Sequence, residues 1–356
     1  ALRHVRGVLE ALPARKGGVR VRRVLAALLT VFVVTLLAVL AAFPALSAPA
    51  GSAPIVLKLG HVVATGHPYH YGATEFARLV EERTGGRVRI DVYPGGQLGP
   101  GEREEIEALQ LGGIDLVVTG TAVLANFLPD FSVMDLPFLF RDYRHVDAVL
   151  DGPVGADLLQ RLNRANLNIT GLSLWEQGFR YLTNSKRPIN TPEDVRGLKI
   201  RVQENPIHVD SFNALGALAT PMAWGGVYTA LQQGVIDGQE NPIPVLTSHK
   251  IYEVQRYLAM TGHFYAPAVI IINTGRFRSL PADVQEVLLK TARDVSQSER
   301  AVARRMEAEQ VDELRRLGMQ VTHPDKAAFQ RAMEPVYNKY RSRFGDLIDR
   351  IIQAGK

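Results

Sequence analysis

Short apolar segments alternate with amphipathic segments along most of this chain, and their order predicts the fold class. Residues 55–62, 88–93 and 114–119 have the short apolar or alternating patterns of β-strands. Between the first two, residues 69–84 place apolar side chains at helical spacing and end at two glycines. Strands and helices that alternate through short loops predict an α/β fold with a mostly parallel sheet.

The remainder of the chain continues this alternation. Further strands are predicted at 168–175, 199–202, 218–221, 257–264, 268–273 and 320–323, and helices near 102, at 153–165, 207–215, 227–233 and from 326 onwards. One unbroken helical pattern covers 281–317, and this helix is long enough to span two lobes. In it, Arg304, Arg305, Glu307 and Glu309 are expected to face solvent.

The length of 356 residues exceeds what a single core normally fills, so we expect two lobes. Lobe I is predicted at 51–174, with a return segment at about 265–356, and lobe II at 175–264. The chain then passes between the lobes more than once. Repeated crossings are what a hinge requires, because each can flex without separating the halves.

Residues 1–50 form a distinct leader with its own charge. They hold seven of the 41 Lys and Arg residues and one of the 36 Asp and Glu residues, which leaves the remaining chain nearly neutral. The basic excess therefore gives no reason to expect a nucleic-acid partner. A basic start, an apolar run from Val24 to Phe43 and small residues up to Ala50 predict an export signal. Because the run could also span a bilayer, an uncleaved membrane anchor is the alternative.

Three sequence motifs each contain an apolar run that ends on a planar hydrogen-bonding side chain. They are WEQGFRYLTNSKRPI with Arg180, GLKIRV with Arg201, and PMAWGGVYTALQQGVIDGQENP with Asn241. A guanidinium matches a carboxylate through two parallel bonds, and an amide can donate to the same oxygens, so the trio is interpreted as a carboxylate clamp. The alternative is that Arg201, which alternates with apolar residues like Lys199 and Gln203, lies on a solvated strand face.

With these motifs in this order, the chain resembles the DctP-type solute-binding proteins of tripartite ATP-independent periplasmic (TRAP) transporters. YPGGQLG at 93–99 and DLPF at 135–138 extend the resemblance over nearly all of the chain after the leader. It implies a two-lobed, type II-like periplasmic binding protein fold that closes around a small organic anion. The resemblance also implies that the ligand is delivered to membrane permease subunits. Within the family pattern, Arg201 makes the main salt bridge to the substrate carboxylate, Arg180 and Asn241 assist it, and Trp224 packs on the substrate.

Four further residues are candidates for contact with the ligand. His67 and Gln97 follow predicted strands, and ligands gather at the carboxyl ends of strands in such sheets. Trp175 belongs either to the core or to the ligand surface. Glu240 either supports an arginine of the clamp or faces water. The identity of the acid stays open among sugar acids, hydroxy or keto acids and C4-dicarboxylates.

Other chemistries find weaker support in the sequence. The chain has no cysteine, which removes disulfides, thiolate metal sites and a lipoprotein anchor. His61, His67 and His70 lack a metal-binding motif and are interpreted as loop histidines. Glu104 and Glu105 are expected to be solvated. We therefore predict a monomeric binding protein without cofactor or metal. The alternatives are an exported enzyme acting on a sugar acid, with His67 or Glu240 transferring protons, and the binding protein of an ATP-driven importer.

Overall fold

The computed structural model describes residues 23, 24, 26–28, 30–33, 35 and 53–356. The chain divides into two units, Ala1–Ala53 and Pro54–Lys356. In the first unit, the described residues from 23 to 35 are helical. The predicted cleavage zone at 47–50 and most of the leader lie outside the described residues. A helix with the length and apolar character to cross a membrane does not occur among the residues described.

One nine-stranded sheet organises the second unit. Its strands are β1 Ile55–Gly60, β2 Val88–Tyr93, β3 Leu116–Gly120, β4 Ile169–Asn184, β5 Lys199–Val202, β6 Leu218–Pro221, β7 Gly238–Asn241, β8 Tyr257–Asn273 and β9 Gln320–Thr322. The order is β2-β1-β3-β8-β4-β7-β5-β6, and β9 pairs with β8. The α/β class and most predicted strands are confirmed. β7 was not predicted, and the two strands expected between 257 and 273 are one continuous strand.

Strands β4 and β8 connect the two ends of this sheet. They contain 16 and 17 residues, a length of roughly 50 Å, and pair antiparallel. β3 pairs with the last residues of β8, whereas β7 pairs with the last residues of β4 and β9 with the first of β8. The β1–β2–β3 and β5–β6–β7 groups therefore lie at opposite ends. Within each group the strands pair parallel, as expected. The long strands β4 and β8 pair antiparallel, so the sheet as a whole is mixed.

The pairing of β4 with β8 is interrupted where the chain passes from one end to the other. Register shifts occur between Gly171 and Ser173, between Glu176 and Gly178, and between Arg180 and Leu182. Gly178 has a φ of 117°, which L side chains rarely adopt. Such bulges bend and twist a strand locally. They lie in the segment where β4 passes from one half of the sheet to the other.

Helices cover the faces of the sheet. They are α1 Pro68–Arg83, α2 Glu102–Gln110, α3 Thr121–Leu124, α4 Tyr143–Leu150, α5 Pro153–Arg164, α6 Pro206–Ala214, α7 Val227–Gln232, α8 Ile243–Ser248, α9 Thr274–Ser279, α10 Ala282–Arg316, α11 Lys326–Ala332, α12 Glu334–Phe344 and α13 Asp346–Gln353. Short 3₁₀ segments occupy Pro129–Asp135, Pro192–Val195, Trp224–Gly226 and Ile251–Glu253. The single helix expected after 326 is three helices, and Gly345, with a φ of 54°, separates the last two.

The long helix α10 has the predicted bounds to within one residue but a different polar face. Its first half buries Val284, Leu288 and Val295 in the core. Arg304 and Glu307 were expected in solvent, and this was wrong. Arg304 donates to the buried carboxylate of Glu176 in β4 at 2.8 Å, and Glu307 accepts bonds from tyrosines of α4 and β4. The reason is that α10 lies across β4, so one polar face meets protein instead of water.

Candidate functional site

A small cavity lies among residues that come from both ends of the sheet. Its volume is about 10 Å³, which is close to the space of one water molecule. The lining residues are Val62, Val63, Glu102, Gln177, Arg201, Gln203, Trp224, Asn241 and Val245. Three predicted residues from two sequence motifs, Arg201 from the first and Trp224 and Asn241 from the second, therefore line one cavity.

Arg201 supplies the positive charge of the cavity. It lies in β5 and is only 4% exposed. Its Nε and Nη2 donate to the carbonyl oxygen of Met222 at 2.8 and 2.6 Å, and its guanidinium lies 5.5 Å from the centre of the Trp224 ring. Within the described part of the chain, no acceptor pairs with Nη1. Burial, together with the nearby charge of Arg180, lowers the pKa of Arg201 to about 10, and Glu240 and Glu102 oppose this change.

Amide side chains form the polar wall around this guanidinium. The Asn241 amide donates to Gln239 at 2.6 Å, which leaves its oxygen without a donor among the described residues. Gln203 follows Arg201 by two residues and is 4% exposed, and its Oε1 is buried without a partner in the described structure. Gln203 directly follows the end of β5, and both residues line the cavity. The face of Arg201 and Gln203 is therefore not solvated as the alternative interpretation held, although Lys199 is exposed.

Glu102 places a carboxylate in the same cavity. It is the first residue of α2, and its Oε1 accepts bonds from the Gly120 amide at 2.7 Å and from Thr119 Oγ1 at 3.2 Å. No group in the described residues donates to Oε2. Burial raises the pKa of Glu102, while the two donors and the positive charge of Arg201 act in the opposite direction. The cavity thus combines one cation with one anion.

Arg180 is held away from this cavity by an ion pair. It is fully buried, and its Nε and Nη2 donate to the Glu240 carboxylate at 2.5 and 2.9 Å. Nη2 also donates to the Glu240 carbonyl oxygen at 2.7 Å, and Nη1 donates to Gln177 Oε1 at 2.7 Å. The structure therefore does not bring Arg180 among the lining side chains. Of the two alternatives for Glu240, support of an arginine is the one observed, with Arg180 as that arginine.

Histidines complete the surroundings of Glu240. His263 Nε2 lies 3.3 Å from one carboxylate oxygen, and His208 Nδ1 lies 3.6 Å from the other. Burial alone would raise the pKa of Glu240, but the charge of Arg180 and the two histidines hold it well below its usual range. On the opposite side, His208 Nε2 lies 3.5 Å from Asp135. Glu240 is therefore an ionised group that orients Arg180 beneath the cavity.

Comparison with known proteins places this arrangement in a family. Residues 59–343 match the bacterial extracellular solute-binding protein family 7, DctP. The chain belongs to the DctP family. A solute-binding protein of Verminephrobacter eiseniae is 42% identical over 286 residues, which are 80% of this chain and 84% of that protein.

Solved structures show the same relationship in three dimensions. A TRAP periplasmic solute-binding protein from Bordetella bronchiseptica, with density interpreted as pantoate, is 42% identical with a TM-score of 0.82 and covers 84% of this chain and 99% of its own. One from a Polaromonas species, bound to D-erythronate, is 41% identical with a TM-score of 0.82 and the same coverage of 84% and 99%. The predicted two-lobed fold of TRAP solute-binding proteins is thereby confirmed. Members of this family are binding proteins for transport, not enzymes, and they bind small acids.

The other candidates in this DctP-family chain lie outside the cavity lining. His67 is 1% exposed and caps α1 through a bond from the Tyr69 amide to Nδ1 at 3.1 Å. Gln97 is exposed. Trp175 is fully buried and donates to the Ala292 carbonyl oxygen at 3.2 Å, which places it in the core against α10. Another cavity, of about 260 Å³, shares Val62 and Trp224 with the first and is also lined by Ala64, Gly95, Gly225, Tyr228 and His249.

The expectation that Glu105 is solvated was wrong. Its side chain is fully buried beneath the end of β1, and both carboxylate oxygens lack a hydrogen-bond partner in the described structure. Burial, followed by the charges of Glu102 and Glu104, raises the pKa of Glu105 to about 8. The charge pattern of α2 does not reveal that Glu102 and Glu105 face the ends of neighbouring strands.

Sequence reasoning missed Glu102, Gln177 and Gln203 as members of the site. Gln203 could have been found from its position two residues after Arg201, directly after the end of β5. Glu102 begins a helix directly after a glycine-rich loop that follows a strand, which is a common position for ligand contacts in α/β folds. Gln177 precedes Gly178 at a bulge, where alternation of side chains fails, so no periodic signal marked it.

Proposed function

We propose that this chain is the extracytoplasmic receptor of a TRAP transporter and binds a small organic acid through Arg201. The observation that carries this proposal is the buried guanidinium of Arg201, whose Nη1 has no acceptor within the described structure, beside Trp224 and Asn241. A carboxylate is the group that best satisfies a planar guanidinium in such a place. Membrane permease subunits then receive the acid.

The energetics of this site are consistent with micromolar affinity. Burial lowers the pKa of Arg201 to about 10, so the site holds a charge that an incoming anion stabilises. A hydrogen bond to a charged group contributes on the order of 1.5–3 kcal/mol. A few such bonds, together with contact against Trp224, supply about the 8 kcal/mol of a micromolar complex.

Arg180 acts indirectly in this proposal. Its donors are taken by Glu240 and by Gln177, so the expected two-arginine clamp becomes one arginine in contact with the ligand and one that positions the wall. Arg180 fixes Oε1 of Gln177, and no described residue accepts a bond from its Nε2, so this amide is available to donate into the cavity. Arg180 therefore orients a donor next to the ligand carboxylate.

Lobe closure is the proposed mechanism of capture. With lobe I at 51–174 and 265–356 and lobe II at 175–264, several bonds join the lobes. The Ala64 amide donates to His249 Nε2 at 3.1 Å, and the Asn126 amide donates to the Glu204 carbonyl at 2.6 Å. A cavity of about 10 Å³ admits no organic acid until these contacts open. The register shifts around Gly178 in β4 provide the flexible segment.

The test compares two substitutions in the same strand. Arg201→Met removes the guanidinium, whereas Lys199→Met removes an exposed charge two residues away. Thermal-shift screening over carboxylic acids, followed by calorimetry, should show binding by the wild type and by Lys199→Met but not by Arg201→Met. Far-UV circular dichroism checks that all three proteins are folded. Unchanged affinity in Arg201→Met contradicts the role of Arg201, and conversion of any bound acid into product contradicts a receptor.

A further inference from the structure

We propose that Glu102 makes the cavity selective for hydroxylated monocarboxylic acids and against dicarboxylic acids. This inference rests on the proposed function, because it assigns the ligand class of the same cavity. It is carried by the hydrogen-bonding groups that line the cavity and by the balance of charge within it.

The cavity presents acceptors that a hydroxylated ligand satisfies. Oε2 of Glu102, Oε1 of Gln203 and Oδ1 of Asn241 receive no hydrogen bond from the described residues. Of the three, the Gln203 oxygen is the one that is buried from water without a partner, and Glu102 is half-buried. A buried acceptor without a donor is unfavourable, and a ligand hydroxyl supplies that donor. Neither an ionised carboxylate nor a methylene group can donate in this way.

The charges of the cavity favour one acid group only. Arg201 is the one cation among the described lining residues, and Glu102 is the one anion. Arg180 does not add to this balance, because it is paired with Glu240. A monocarboxylate can pair with Arg201 and direct its hydroxyls towards Glu102. A second carboxylate would share the small cavity with Glu102, and like charges in a buried site repel.

The position of Glu102 is fixed by the fold. The Gly120 amide and Thr119 Oγ1 both donate to Oε1, at 2.7 and 3.2 Å. These bonds hold the carboxylate at the start of α2 and leave Oε2 for the ligand. A preorganised acceptor discriminates strongly, because it is held in place and cannot move away from a ligand that repels it or fails to donate to it.

The test uses acids of equal carbon number. Erythronate, succinate and butyrate have four carbons and differ in whether the second end carries hydroxyls, a carboxylate or neither. Calorimetry on the full chain should give dissociation constants at least tenfold to a hundredfold weaker for succinate and butyrate than for erythronate, the ratio expected for one bond to a charged acceptor. Hydroxylated monocarboxylates and unbranched dicarboxylates of three to six carbons extend the comparison to other lengths.

Two isosteric variants separate a ligand contact from a general effect of charge. Glu102→Gln keeps an oxygen for the Gly120 amide but removes the negative charge, so we expect erythronate to bind about tenfold weaker and succinate to bind tighter. Glu107→Gln removes an exposed charge from the next turn of the same helix and should leave both affinities unchanged. Preference of the wild type for dicarboxylates, or an unchanged ratio in Glu102→Gln, overturns this inference and leaves the proposed function intact. Failure of every acid in both series to bind contradicts the proposed function itself.

Discussion

Substitution of Glu105 by glutamine should change how the stability of this protein depends on pH. Glu105 is fully buried, its carboxylate has no hydrogen-bond partner among the described residues, and its pKa is raised to about 8. The folded protein therefore keeps the proton of Glu105 up to about pH 8, whereas the unfolded chain releases it near pH 4.5. Between these values the unfolded state binds fewer protons, so the free energy of unfolding falls as the pH rises.

The magnitude follows from the difference between the two pKa values. Each unit corresponds to about 1.36 kcal/mol, so a rise from 4.5 to about 8 amounts to roughly 5 kcal/mol of destabilisation well above pH 8. Between pH 5 and pH 8, this contribution should change by roughly 3–4 kcal/mol. Glu105→Gln cannot ionise and loses this dependence. The variant should gain stability relative to the wild type as the pH rises, whatever fixed cost the buried amide adds.

Urea unfolding followed by far-UV circular dichroism measures this difference. The wild type, Glu105→Gln and the exposed control Glu107→Gln are unfolded at several pH values from 5 to 8.5 at constant ionic strength. Comparison between variants cancels all other titrating groups, provided that the urea dependence of the free energy is unchanged. A wild-type profile parallel to that of Glu105→Gln across this range would refute the assignment of a raised pKa to Glu105.

Two further substitutions test the interior. Glu240→Gln leaves Arg180 buried without its counter-charge and should reduce the free energy of unfolding by about 3–5 kcal/mol. The double variant Arg180→Met, Glu240→Leu should lose less stability than the sum of the losses in Arg180→Met and in Glu240→Leu. Additive losses in urea unfolding would argue against a coupled pair. Gly72→Ala places a Cβ 2.6 Å from the Trp175 ring and should reduce the free energy of unfolding by about 1–3 kcal/mol. The control Gly66→Ala makes only ordinary van der Waals contacts. Equal thermal unfolding temperatures for the two variants would contradict the close packing of α1 on Trp175.

Local patterns of the sequence were sufficient for most of the strands, and the family resemblance added three side chains that line one cavity. Alternation and helical spacing depend on residues within one segment, and they located β2, β5, β6 and both ends of α10 to within a residue. The words around Arg201, Trp224 and Asn241 likewise identified three side chains that meet at one cavity. Strand ends in an α/β sheet gather on the same edges, so motifs that follow strands converge even when they are far apart in the chain.

Only the tertiary structure decided whether each charged group lies in solvent, pairs with another side chain or lines the cavity. Glu105 and Arg304 carry the same helical charge pattern as exposed neighbours, yet they face a strand end and β4. Arg180 and Arg201 both end apolar runs, but Glu240 pairs with the first and leaves the second beside the cavity. The sequence by itself determined which residues are charged and on which element they lie. The pKa and the role of each charge depend on partners from distant segments, because electrostatic interactions in a protein interior act through space and not along the chain.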